Sequence, residues 1–139
     1  MKLTNDVKHS VTVENEHGDK VTFDIDISDM IQVGTITEIF GVYNEMMAID
    51  IPEDGLKETL SAIKAIKAKM NEVNELLDEA FGAELREKAF LNSNSMFLYN
   101  DFFEKLEKEF EKAGIKVESK IKEIKKKYLV KDHKSKDTI

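Results

Sequence analysis

Ser95–Phe110, SMFLYNDFFEKLEKEF, holds five of the chain's eleven aromatic residues: Phe97, Tyr99, Phe102, Phe103 and Phe110. Helical spacing brings Tyr99, Phe102, Phe103, Leu106, Phe110 and Ala113 onto one face, about a third of the circumference. Asn94 or Ser95 can cap this helix, and Gly114 can end it. A stripe of this kind reads first as core, where burial of each large side chain stabilises the fold by ~2–3 kcal/mol. Phe97 lies nearly opposite the stripe and Leu98 is off its centre. These two either pack on the element before them or meet another protein.

Working backwards, Ala83–Leu91 reads as a short helix, and Gly82 as the stop of a long one. The long helix opens near IDIPEDGLKE, with Pro52 at its first position and Glu53 and Asp54 near the positive end of the dipole. Its main stripe is Leu56, Leu60, Ile63, Met70, Leu77 and Phe81, interrupted by Lys67 and Asn74; Ile66, Val73, Leu76 and Ala80 form an adjacent one. Such a helix would run ~30 residues and ~45 Å, more than a small globule comfortably covers. It stands alone or packs against a second copy. Thr35 to about Ala48 carries Ile36, Ile39, Phe40, Tyr43 and Met47 at helical spacing, although Gly34 and Gly41 weaken it. Ser28 or Asp29 can cap it. Before it, VTVENEHGDKVTFDIDI alternates apolar and polar residues on either side of a turn at Gly18. Period two around such a turn is a hairpin.

The expected architecture is therefore mainly α with an N-terminal β-hairpin (α+β), with one long helix and shorter ones. Residues 1–114 form a single domain, with the hairpin over 10–28 and the helical body over 35–114. Residues 115–139 form a basic amphipathic helix, with Val117, Ile121, Ile124 and Tyr128 on one face, and then a disordered tail.

Charge and composition narrow the function. The net charge is −7, but residues 115–139 hold nine lysines against four acids, which leaves −12 on the first 114. An acidic body repels phosphate, so nucleic acid is not the expected partner. No cysteine is present, which excludes disulfides and thiolate chemistry. No window approaches a membrane span of ~18 apolar residues, and MKLTNDVKHS does not read as a secretory signal. A cytoplasmic protein is expected.

Catalytic signatures are weak. His9, His17 and His133 have no ligand spacing. Asp24, Asp26 and Asp29 resemble the start of a calcium loop, but Asp29 stands where glycine is needed and Thr35 where glutamate is needed. Asp78 and Glu79 are neighbours that do not face each other on a helix. The expectation is a non-enzyme with no metal and no cofactor.

The segment LLDEAFGAELREKAFLNSNSMFLYNDFFEKLEKEFEKAG, Leu76 to Gly114, resembles the tail assembly chaperones of long-tailed (siphovirus-type) phages and prophages of Gram-positive bacteria. The matching positions are Asp78, Phe81, Gly82, Lys88, Phe90, Tyr99, Asp101, Phe102 and Phe103. That family often carries Gly-Thr where this chain has Glu84 and Leu85, and glycine where it has Leu91. The resemblance implies a hairpin feeding a helical body. It also implies noncovalent binding of the tail tube protein or tape measure protein in the bacterial cytoplasm, masking apolar surface during assembly. The candidate partner-binding residues are Phe81, Phe90, Tyr99, Phe102 and Phe103, which are among the matching positions, and Phe97 and Leu98, which lie off the stripe. The alternatives are a minor structural protein retained in the particle and a helical protein–protein adaptor unrelated to phage.

Overall fold

A computed structural model describes residues 1–3 and 7–114. Strand β1 (His9–Glu14) and strand β2 (Lys20–Ile25) form an antiparallel hairpin, with Val11 opposite Phe23 and Val13 opposite Val21. Val11, Phe23 and Ile25 are buried while Thr12, Thr22 and Asp24 face outward, so the period-two pattern becomes one covered face and one wet one. The turn is held by Asn15, whose side-chain oxygen accepts from the N–H groups of His17 and Asp19. Gly18 sits at φ 85°, a left-handed conformation that glycine adopts without steric cost.

Helix α1 (Met30–Met47) begins five residues before the sequence expectation. Asp29 caps it by accepting from the N–H groups of Ile31 and Gln32. Its first turn puts Met30 and Ile31 into solvent, so apolar periodicity gives no sign of it; the core face starts at Thr35 and Ile36. The two other aspartates of the calcium-like pattern are also placed: Asp24 accepts from the Ser10 hydroxyl and Asp26 from the Ser28 N–H.

Helix α2 (Leu56–Phe81) is 26 residues long and starts after Gly55, at φ 90°. Pro52 is thus not its first residue. Gly82, at φ 88°, ends it as expected and donates its N–H to the Asp78 carbonyl. Helix α3 (Glu84–Lys88) is a single short turn. Helix α4 covers residues 96–114 of the described chain, and its Tyr99 N–H bonds the Ser95 carbonyl. The expected helix and tail over 115–139 lie outside the described residues.

Three helices share the core. Glu45 meets Lys69 and Gln32 bonds the Ala80 carbonyl, so α1 and α2 run antiparallel. Tyr43 stacks beside Phe103, and Phe40 meets Phe103 and Phe110, so α4 runs antiparallel to α1. The hairpin lies across them, with Phe23 edge-on to Phe81 at 4.9 Å and beside Phe102 at 5.7 Å. Asn74, which breaks the α2 stripe, is buried and satisfied: it accepts from the Tyr99 hydroxyl and donates to Asn94 Oδ1 at 2.9 Å.

Candidate partner-binding surface

The seven residues singled out for partner binding divide by burial. Phe90, Tyr99, Phe102 and Phe103 are buried, and Tyr99 is fully so. Phe90 stacks edge-on with both Tyr99 and Phe102, each at 4.8 Å. These four rings build the core, so in this conformation Tyr99 and Phe103 do not present a surface to a partner. The reason is the helical phase of the stripe: it faces inward, with Phe103 against Tyr43 of α1 and Tyr99 bonded to Asn74 of α2. Phe81 and Leu98 are half-buried at the edge of the core. Phe97 is 85 % exposed. It does not pack on the short helix before it.

Two grooves flank the hairpin. The first, about 230 Å3, lies between Val13–Glu16 at the end of β1 and the Leu98, Asp101, Phe102 and Lys105 face of α4, with Ala89 and Phe90 as its floor. The β-turn is fixed against α3 by the bond from Asn15 Nδ2 to the Lys88 carbonyl, 2.9 Å, so this groove has a stable wall. Phe97 does not line this groove; it precedes Asp101, a lining residue, by four residues on α4. The rim carries Glu14, Glu16 and Asp101 against Lys105. The second groove, about 470 Å3, lies between β2 and the junction of α2 and α3. Phe81 lines it, beside Lys20, Asp24, Glu84 and Lys88.

Two polar links hold these walls, and neither was visible as sequence spacing. Arg86 forms a two-pronged pair with Asp78, Nε to Oδ1 at 2.8 Å and Nη2 to Oδ2 at 2.6 Å, which fixes α3 to the end of α2. Asp78 is therefore an anchor for the α2–α3 turn. At the other end of the hairpin, His9 Nε2 lies 2.5 Å from Glu109 Oε2, with the carboxylate as acceptor. Lys105 and Lys112 reach the other oxygen at 3.1 and 3.3 Å. The His9 contact, chiefly, and the two lysines hold the Glu109 carboxyl down to about 2 from an ordinary 4.5. Burial pushes the Tyr99 phenol upward, so it stays protonated and donates to Asn74.

Among the described residues no group of three His, Asp or Glu side chains is arranged to hold a metal ion, and no helix is long and apolar enough to cross a membrane.

A family model matches residues 19–138. The chain belongs to DUF6673, a family of unknown function. The matched stretch takes in β2 and all four described helices, and β1 precedes it. No curated protein and no solved structure matches the chain.

Proposed function

We propose that the protein is a phage tail assembly chaperone, one that binds the tail tube protein or the tape measure protein and covers apolar surface while the tail is built. The observation that carries the reading is Phe97, 85 % exposed and one helical turn before Asp101, which lines a groove floored by Phe90 and walled by Leu98 and Phe102. Covering that ring with an apolar client segment would favour a complex, since apolar area removed from water stabilises association. An apolar client segment with basic neighbours fits here, its side chains against Phe97 and Leu98 and its charge near Glu14, Glu16 and Asp101. Binding of this kind is noncovalent and reversible, as masking and release require.

The resemblance over Leu76–Gly114 supports the same reading. Leu91, where the chaperones usually carry glycine, takes a left-handed φ of 52°, a conformation that favours glycine. The backbone here thus has the shape that a glycine would suit.

The test is a pull-down of the tagged full chain from prophage-induced cells, read by mass spectrometry, with Phe97→Asp beside the unaltered chain. Enrichment of the tail tube or tape measure protein, lost in Phe97→Asp while the circular dichroism spectrum is kept, is the expected result. Recovery of host proteins alone, with tail proteins abundant in the input, overturns the reading in favour of an adaptor. Retention of the protein in purified particles overturns it in favour of a minor structural component.

A further inference from the structure

The second groove carries an inference of its own, which does not rest on the client reading at Phe97. Along it runs the free edge of β2. The hairpin ladder is closed at the turn by the bond from the Asn15 N–H to the Asp19 carbonyl. In an antiparallel pair, residues that bond each other alternate with residues that do not. That phase turns the backbone groups of Val21, Phe23 and Ile25 towards Val13, Val11 and His9, and those of Lys20, Thr22 and Asp24 away from β1. The Asp24 carbonyl is taken by Gln32 Nε2 at 3.0 Å. The N–H and carbonyl of Lys20 and of Thr22, and the N–H of Asp24, have no protein partner among the described residues.

These five groups open on the groove of about 470 Å3, which β2 borders from Lys20 to Asp24. Unpaired strand groups beside a groove are matched by another extended backbone. Volume decides how much of one fits. A strand residue takes up roughly 160 Å3, from a ~3.3 Å rise, a ~4.8 Å strand spacing and a ~10 Å layer. The groove thus encloses about three residues of a single strand, too little for a second hairpin. Charge decides which strand. Lys20, Thr22 and Asp24 are exposed on the outward face. Lys20 has Glu14 opposite it in β1 but forms no ion pair among the described residues. Asp24 accepts only a hydroxyl, from Ser10. On the far wall, Glu84 and Lys88 pair with each other at 3.3 Å.

We infer that the edge of β2 takes up an extended segment of a partner protein as a third, antiparallel strand. The segment reads basic, apolar, Thr, apolar, acidic. Its basic residue lies opposite Asp24 and its acidic residue opposite Lys20, while the central threonine faces Thr22. Its two apolar side chains point the same way as Val21 and Phe23, onto Phe81 and Leu85. Backbone bonds at Lys20, Thr22 and Asp24 supply affinity, and the two charges at the ends of the groove set the register.

The probe is a capped peptide with the sequence of residues 19–25, DKVTFDI, which has this order of residue types. It is titrated into the full 15N-labelled chain and followed by amide shifts and hydrogen exchange. In the free chain the amides of Lys20, Thr22 and Asp24 should exchange faster than those of Val21 and Phe23. At peptide concentrations ten times the dissociation constant, their exchange should slow about tenfold. Thr22→Pro removes the central donor without removing a bond to β1, a place where an edge strand tolerates proline, and should abolish binding. Lys20→Glu keeps every backbone group and should raise the dissociation constant about fivefold. Replacing the peptide's second aspartate by lysine should then restore it. Unchanged amides at Lys20, Thr22 and Asp24 up to the peptide's solubility limit overturn the inference, as do shifts confined to α4 or binding that Thr22→Pro leaves intact. A dimer of the chain in sedimentation velocity that Thr22→Pro dissolves overturns it too, and assigns the edge to a second copy. Phe97→Asp should leave peptide binding unchanged, so failure of the client reading and failure of this one are separately visible.

Discussion

Replacing Phe103 by alanine distinguishes a core role for the aromatic helix from a contact role. The ring is 3 % exposed. Its neighbours are Tyr43 at 4.3 Å, Phe102 at 5.6 Å, Phe40 at 6.0 Å and Tyr99 at 6.3 Å. Two of these rings come from α1 and two from α4 itself, so the side chain joins the two helices. Truncating a buried phenylalanine to alanine costs about 3–5 kcal/mol, from lost transfer energy and the cavity left behind. Edge-on aromatic pairs add to the upper end of that range. Domains of this size lose about 3–5 °C of melting temperature per kcal/mol, so a fall of about 10–20 °C is expected. A small domain holds only ~5–15 kcal/mol in all, so the variant sits close to unfolding. Thermal and urea denaturation followed by circular dichroism, with Phe97→Ala as control, measure it. Phe97→Ala should stay within about 0.5 kcal/mol of the parent, as exposed positions do. If Phe103→Ala melted with the parent and Phe97→Ala collapsed, the assignment of the stripe to the core would be wrong.

Three further outcomes are expected. Glu109→Gln should flatten the acid limb of stability: the Glu109 carboxyl is held at about 2 against 4.5, so its contribution is complete above about pH 4.5 and disappears towards pH 2. Melting temperatures across that range should fall more steeply for the parent than for the variant, and parallel curves would show that the His9 contact carries no stability. Tyr99→Phe strands the buried Asn74 oxygen and should cost about 1–3 kcal/mol in urea unfolding; a neutral result would mean that Asn74 finds another donor. Gly41→Ala, inside α1 with nothing within 4 Å of the added carbon, should raise stability by about 0.5–1 kcal/mol, and a loss would show that the exposed face of α1 is closely approached in solution.

The aromatic stripe and the hairpin were legible because each repeats a period over several residues, and a period survives whatever packs against it. Gly82 was legible because a helix end needs a left-handed residue. The start of α1 was not: its first turn exposes Met30 and Ile31, so the apolar pattern starts late, and only the Asp29 cap marks the true beginning. Pro52 misled for a related reason. It suits a helix start, but the helix begins after Gly55, whose φ of 90° reverses the chain there. The His9–Glu109 contact joins residues a hundred positions apart, and neither residue has a neighbour that announces it. Arg86 was overlooked because its value lies in reaching back to Asp78 across the α2–α3 turn, and only the turn's geometry fixes that reach.

The projecting start of α2 follows from a difference in length that sequence periodicity does not register. Helix α1 has 18 residues and α2 has 26, so antiparallel packing leaves about 12 Å of α2 with no partner helix in the same chain. The apolar stripe nevertheless continues through that excess, in Leu56, Leu60 and Ile63. The length of α2 is set by the glycines at either end, Gly55 at φ 90° and Gly82 at φ 88°, and not by the helix it packs on, so Leu56, Leu60 and Ile63 stay exposed by 75 %, 56 % and 49 %.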